Sequence, residues 1–187
     1  DGSPVLAIKL AQDHYQKNNL HEVAFVFVEQ RKDRVDHLKN ELSTLPVPST
    51  FHISVNQNQF ENTLSVILDY LDTKGAKIAP AFAFIDPFGF RGAPFKLVQR
   101  LLKNPRTEVF VNIMADSINR FLDHPDPQIR NHIVDLFGTP QVLQILNVGK
   151  QGISQLRGLY QDQLEKCAKY VRYFEMRDEN NRIIYYL

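Results

Sequence analysis

Cysteine is almost missing from this sequence: Cys167 is the only one in 187 residues. That excludes an intramolecular disulfide and a cysteine-based metal cluster, and a reducing cytoplasm is the expected compartment. His14, His21, His37, His52, His124 and His132 show no ligand-like spacing, so no metal site is expected. Charge of one sign is lacking too. The 22 Lys and Arg against 21 Asp and Glu leave a net +1, which gives no general electrostatic case for a nucleic-acid or membrane partner. No apolar run approaches the length of a membrane span. Internal repeats and low-complexity segments are absent. So is any Gly-x-Gly-x-x-Gly turn, which together with the lack of a clear proton donor argues against a nicotinamide-dependent oxidoreductase. What remains is an ordinary globular composition, 43% hydrophobic and 23% charged, long enough for one domain with a real core.

Helical and strand patterns alternate along that chain. Ser3-Pro4 before Val5, Leu6, Ile8 and Leu10 reads as a cap and an early-turn proline opening a helix. Val23 to Val28 is a buried strand closed by Glu29, and a charged helix from about Arg31 keeps Val35, Leu38 and Leu42 on one face. Phe51 to Val55 makes a second strand. Phe60, Leu64, Ile67, Leu68 and Leu71 recur at helical spacing, and Gly75 ends that helix before the strand Phe82 to Ile85. Pro94 opens another helix, followed by the strand Glu108 to Ile113. Pro125, Pro127 and Pro140 divide residues 117–146 into short helices. A long helix from about Gln151 to Lys169 precedes two strands, Tyr170 to Met176 and Arg182 to Leu187, joined by Asp178-Glu179-Asn180-Asn181. This order predicts an α/β fold: a mostly parallel sheet with helices on both faces and one antiparallel edge strand. It is expected as a single domain over 1–187, cut at both ends and lacking a first strand with its glycine-rich loop.

The most pointed stretch is Phe82-Ala83-Phe84-Ile85-Asp86-Pro87-Phe88-Gly89-Phe90, which reads as a buried apolar strand running into an acid, a proline, an aromatic and a glycine. In open α/β sheets ligands bind beyond the carboxyl ends of strands, so Asp86 stands where a catalytic or orienting carboxylate is expected, unless it only caps the turn. Asp86-Pro87-Phe88 resembles the target-base motif of amino-methyltransferases, which usually carry a second proline where Phe88 stands. Three further sets fall on the same rim. Glu29 can accept hydrogen bonds from ribose hydroxyls or cap the helix near Arg31. Gln59 and Phe60 can flank an adenine. Phe90, Asn112, Asn119 and Arg120 can contact a substrate, with core packing or structural hydrogen bonding as the plainer alternatives. Cys167 reads as a structural thiol, and Lys32, Arg34, Lys39, Lys166, Lys169 and Arg172 as solvated faces.

Taken in order, Gly2-Ser3-Pro4, Phe27-Val28-Glu29, Phe84-Ile85-Asp86-Pro87-Phe88-Gly89, Val111-Asn112-Ile113-Met114, Ile118-Asn119-Arg120, Phe137-Gly138-Thr139 and Leu159-Tyr160 with Leu164 resemble the three-Cys-motif partner proteins. These are bacterial methyltransferase-like proteins named for a neighbouring gene product. The resemblance runs along nearly the whole chain. It implies a Rossmann-like, class I S-adenosylmethionine (SAM)-dependent methyltransferase fold, with Glu29 at the ribose, Gln59 and Phe60 near the adenine, and Asp86 in the catalytic loop. The family's glycine-rich cofactor loop belongs upstream of Asp1, and Gln59 occupies a position that is often Asp. Two functions follow as expectations: methyl transfer from SAM to an exocyclic amine or nucleobase, or a catalytically silent module that binds a partner protein encoded nearby.

Overall fold

A computed structural model describes residues 2–14, 19, 21–87, 89–146, 149–177, 179 and 183–186, the last four for their backbone alone. The chain divides into two compact units, Asp1–Thr63 and Leu64–Leu187. Its class is α/β, with short parallel sheets. Instead of one continuous sheet, the described strands form three pairs: two parallel and one antiparallel.

In the first unit, β1 (Val23–Glu29), α2 (Lys32–Ser43) and β2 (Phe51–Gln57) follow α1 (Ser3–Asp13). The two strands are parallel and in register from Val23↔Phe51 to Glu29↔Gln57. Alternation then sorts their side chains. Phe25, Phe27, Phe51, Ile53 and Val55 share one face and pack against Val5, Ile8, Leu38 and Leu42 of the two helices. Phe25 lies 5.3 Å from Phe51, centroid to centroid. The α1 cap is Gly2, with no side-chain cap bond, rather than Ser3. Ser3 is already helical, because Pro4 tolerates a place in the first turn, where its missing N–H is not needed.

In the second unit, β3 (Ala81–Ile85), α4 (Phe95–Leu102) and β4 (Thr107–Val111) form another parallel βαβ unit. Then come α5 (Ala115–Asn119), α6 (Pro127–Phe137), a 3₁₀ turn (Pro140–Gln144), α7 (Lys150–Glu165), and the antiparallel strands β5 (Glu175–Arg177) and β6 (Ile183–Tyr186). The prolines act as starters: Pro127 and Pro140 sit in the first turns behind the caps Asp126 and Thr139, whose side chains accept from the N–H groups of Gln128 and Gln141. Asn104 closes α4. Its amide donates to the carbonyls of Arg100 and Leu101, and its Oδ1 accepts the Ile78 N–H at 3.1 Å. Arg100 also reaches Asp69 and Asp72 on α3 (Phe60–Thr73), each at 2.8 Å. Hydrogen bonding to these two acids raises the guanidinium pKa further.

The buried centre of this unit is Phe95, Val98, Ile118, Ile133, Leu136, Phe137 and Leu156. Tyr160 of α7 stands edge-on to Phe95 and Phe137, 5.5 Å from each. Its hydroxyl is buried and has no hydrogen-bond partner among the described residues. Burial pushes this phenol far above the ordinary tyrosine range, and Cys167 adds to the shift. The folded chain therefore holds the Tyr160 proton where the unfolded chain releases it. The stabilisation is complete below about pH 10 and falls as pH rises beyond. Tyr160→Phe should leave neutral-pH stability unchanged or raise it by up to about 1 kcal/mol, since an unpaired buried hydroxyl is removed. It should also flatten the alkaline decline; thermal melts at pH 7 and pH 10.5 read both.

Candidate functional site

In each unit, the parallel ladder brings the carboxyl ends of two strands side by side. On the first, Glu29 ends β1 opposite Gln57, and the Glu29 carbonyl accepts the Asn58 N–H at 3.1 Å. The loop after β2 is thus tied to the last residue of β1. Glu29 Oε1 accepts the Arg31 N–H at 2.8 Å, while Oε2 lies 3.6 Å from Arg34. One carboxylate oxygen holds the turn into α2, and the other, on a Glu29 side chain that is only partly buried, keeps acceptor capacity. Gln59 is exposed. Its N–H donates to Asn58 Oδ1 at 2.8 Å, and its own amide oxygen meets Asn62 only at 3.5 Å. Phe60, half-buried, is the first residue of α3.

On the second unit, Asp86 follows β3 and Asn112 follows β4, one residue beyond the last paired positions, Ile85↔Val111. The ladder continues for one more bond, from the Asn112 N–H to the Ile85 carbonyl at 2.9 Å. This sets the two side chains face to face. Asn112 Nδ2 donates to Asp86 Oδ1 at 2.7 Å, a charge-assisted bond. Asn112 is 8% exposed, whereas Asp86 is open to solvent. The Asn112 Oδ1 is buried with no donor among the described residues. Asp86 fixes this arrangement: turning the amide over would set its oxygen against a carboxylate. The amide therefore leaves an acceptor unsatisfied in order to hold Asp86, at a desolvation penalty of about 1–3 kcal/mol.

Around this pair Pro87 is buried, and Gly89 and Gly92 take positive φ (76° and 80°), where only glycine is at ease. Phe88 lies outside the described residues. The ring of Phe90 is engaged with Phe121 at 5.4 Å. Asn119 is buried. Its Nδ2 approaches the Gly149 carbonyl at 3.5 Å, and its Oδ1 fills the space a Cβ on Gly152 would need, so its amide serves the packing of α5 on α7. Arg120 is exposed and turns back on Asp116, 3.6 Å from its carboxylate. Among the candidates on this unit, Asp86 and Asn112 are the two brought together. Read singly, Asn112 is a candidate substrate contact; the structure pairs it with Asp86. The signal is in the spacing: two polar residues, each directly following a five-residue strand of one βαβ unit.

Among the described residues, no group of three or more His, Cys, Asp or Glu side chains is placed to hold a metal ion. No described helix is long and apolar enough to cross a membrane. Burial raises the Cys167 thiol pKa, and its Sγ faces the carbonyls of Gln163 and Leu164 within its own helix end, which is the setting of a structural thiol. Comparison with family models, with curated proteins and with solved structures finds no match.

Proposed function

We propose that this chain is a SAM-dependent methyltransferase acting on an exocyclic amine. The observation that carries the reading is the Asp86–Asn112 pair: an exposed carboxylate beyond a parallel strand, fixed by a buried amide from the next strand at 2.7 Å. Asp86 Oδ1 is committed to Asn112, which leaves Oδ2 for an N–H donor from outside. An amine bonded there has its lone pair turned away from the carboxylate, and holding that geometry is where orientation lowers the barrier. Pro87 stiffens the backbone just after the acid.

The first unit carries residues that fit the nucleoside of the cofactor. Glu29 Oε2 retains acceptor capacity suited to ribose hydroxyls, and the exposed Gln59 amide, on the loop tied to Glu29, can accept from an adenine amino group. SAM supplies a methyl group on a sulfonium, already a good leaving group. The protein's task reduces to binding and aligning.

Calorimetric titration of SAM and S-adenosylhomocysteine tests this. Glu29→Ala should weaken binding about 10-fold or more, the worth of a charge-assisted hydrogen bond. Asp86→Ala should leave it within about 3-fold, since that carboxylate serves the amine. Absence of binding both by the folded chain and by the same chain extended upstream of Asp1 to supply the glycine-rich loop would overturn the proposal.

A second reading, a silent module that docks a partner protein, draws on a different observation. Phe82 and Phe84 are 67% and 51% exposed on one face of β3, with Phe84 stacked on Phe110 at 5.5 Å. Parallel sheets are normally covered on both faces. Such a module need not bind SAM, so the same titration separates the two.

A further inference from the structure

Residues 166–177 combine charge with exposed rings. Lys166, Lys169, Arg172 and Arg177 stand against one acid, Glu175, so this segment carries +3 in a chain whose total is +1. Tyr170 and Phe174 are 76% and 62% exposed, and Tyr173 and Met176 are also open to solvent. An exposed aromatic group of this size is unusual on a soluble surface and marks an interaction site. Cations lie over two of the rings: Lys169 is 5.2 Å from the Tyr170 centroid and Arg157 is 4.1 Å from that of Tyr173. Among the described residues, no carboxylate pairs with Arg157, Lys166, Lys169 or Arg172. Residues 168–174 belong to no helix or strand, so their backbone is not committed to a sheet.

We infer that this segment is a binding surface for single-stranded nucleic acid, with Tyr170 and Phe174 stacking on bases and Lys166, Lys169 and Arg172 neutralising phosphates. Unpaired cations interleaved with exposed rings are the two halves of sequence-tolerant single-strand binding: a backbone-tracking charge and π-faces for the bases. A duplex would use the charge but leave the rings idle, because its bases are already stacked. A membrane surface is a poorer fit, since peripheral binding of this composition relies on an amphipathic helix. The near-neutral total charge does not oppose the inference, because the positive charge is local. The surface does not depend on the amine-methylation reading.

Fluorescence anisotropy with a labelled oligothymidylate of about 20 nucleotides tests it, using the 187-residue chain at about 50 mM salt. Binding should be tenfold or more tighter than for a duplex of the same length. The double variant Y170A/F174A should weaken it at least ~10-fold, the effect of losing one or two stacked bases. K169S/R172S should lower the slope of log affinity against log salt by about 1.4, two phosphate contacts' worth. Circular dichroism confirms that each variant is folded. No binding by the folded chain would overturn the inference. So would equal affinity for the duplex, binding untouched by both double variants, or binding to anionic phospholipid vesicles in place of the oligonucleotide.

Discussion

Gly138→Ala is expected to lower stability by about 2–5 kcal/mol, enough to drop the melting temperature of a chain this long by ~10 °C. Two independent penalties meet there. Gly138 caps α6 with φ 66°, and its N–H closes the helix on the Val134 carbonyl at 2.7 Å. Alanine in this left-handed region costs about 1–2 kcal/mol. The second penalty is steric. A Cβ on Gly138 would lie 2.7 Å from Phe95 Cδ1 and 2.9 Å from its Cβ. Phe95 is 1% exposed and pinned edge-on by Tyr160, so it cannot swing aside without disturbing α7. Forcing an extra methyl into such a core costs about 1–3 kcal/mol. Gly75 makes the control: it has the same sign of φ (60°) and open space around the would-be Cβ. Gly75→Ala should show the conformational penalty alone, and denaturant titration of the two variants separates the terms. Equal losses would refute the packing half of the argument.

How much of this was legible in the sequence differs from element to element. β1 could be found as an apolar run and β2 as a short strand, with a charged amphipathic helix between them that fits a parallel crossover. The burial expected of β1 and β3 is not what is found: side chains alternate, Phe25 and Phe27 packing on the helices while Ala24, Val26, Phe82 and Phe84 are exposed. Parallel pairing followed from the βαβ order. Which strands lie side by side did not. Strand adjacency is decided by long-range pairing that leaves no periodicity, and one sheet was expected where three pairs are found. The strand expected over Tyr170–Met176 shrank to Glu175–Arg177 for a related reason. Tyr170, Val171, Tyr173 and Phe174 have high β-propensity, but a strand exists only where a partner bonds it. Among the described residues the ladder holds Glu175, Met176 and Arg177 against β6. The last helix stops at Glu165, short of Lys169, because its apolar period ends with Leu164, whose carbonyl takes the N–H groups of Cys167 and Ala168.

The site was legible in position more than in contact. Strand ends mark a rim, so Glu29, Asp86 and Asn112 could be found without a structure. Which partners they take depends on register. Glu29 was open to two uses, and one of its oxygens does hold the turn at Arg31. Asn119 and Phe90 look like rim residues in sequence, yet the packing of α5 on α7 and of Phe90 on Phe121 occupies them. Neither contact is local enough in sequence to be seen from composition or spacing.

The Asp86–Asn112 pair yields the sharpest pH test. In wild type, a neutral buried amide donates to the carboxylate. Asn112→Asp keeps the shape and replaces the donor with an acid at hydrogen-bond distance from Asp86. Two carboxylates so placed cannot both ionise without repulsion, and the introduced one is also desolvated at a site 8% exposed. The introduced carboxyl then keeps its proton well above the usual carboxylate range and donates it to Asp86 while it does. The sign follows from linkage. Its pKa is raised by folding, so stability is intact below the ordinary carboxylate pKa, near 4, and is lost as pH rises through the raised value. At pH 7 the variant should be about 2–4 kcal/mol less stable than wild type, a shift of roughly two to three pKa units. Near pH 4.5 it should recover most of that loss. Asn112→Leu loses the donor without adding a charge, and its deficit should stay nearly level over the same range. Urea titrations at pH 4.5, 6 and 7.5 distinguish these outcomes. A level deficit for Asn112→Asp would mean that the amide and Asp86 are not in contact in solution, which would also remove the observation on which the amine site rests.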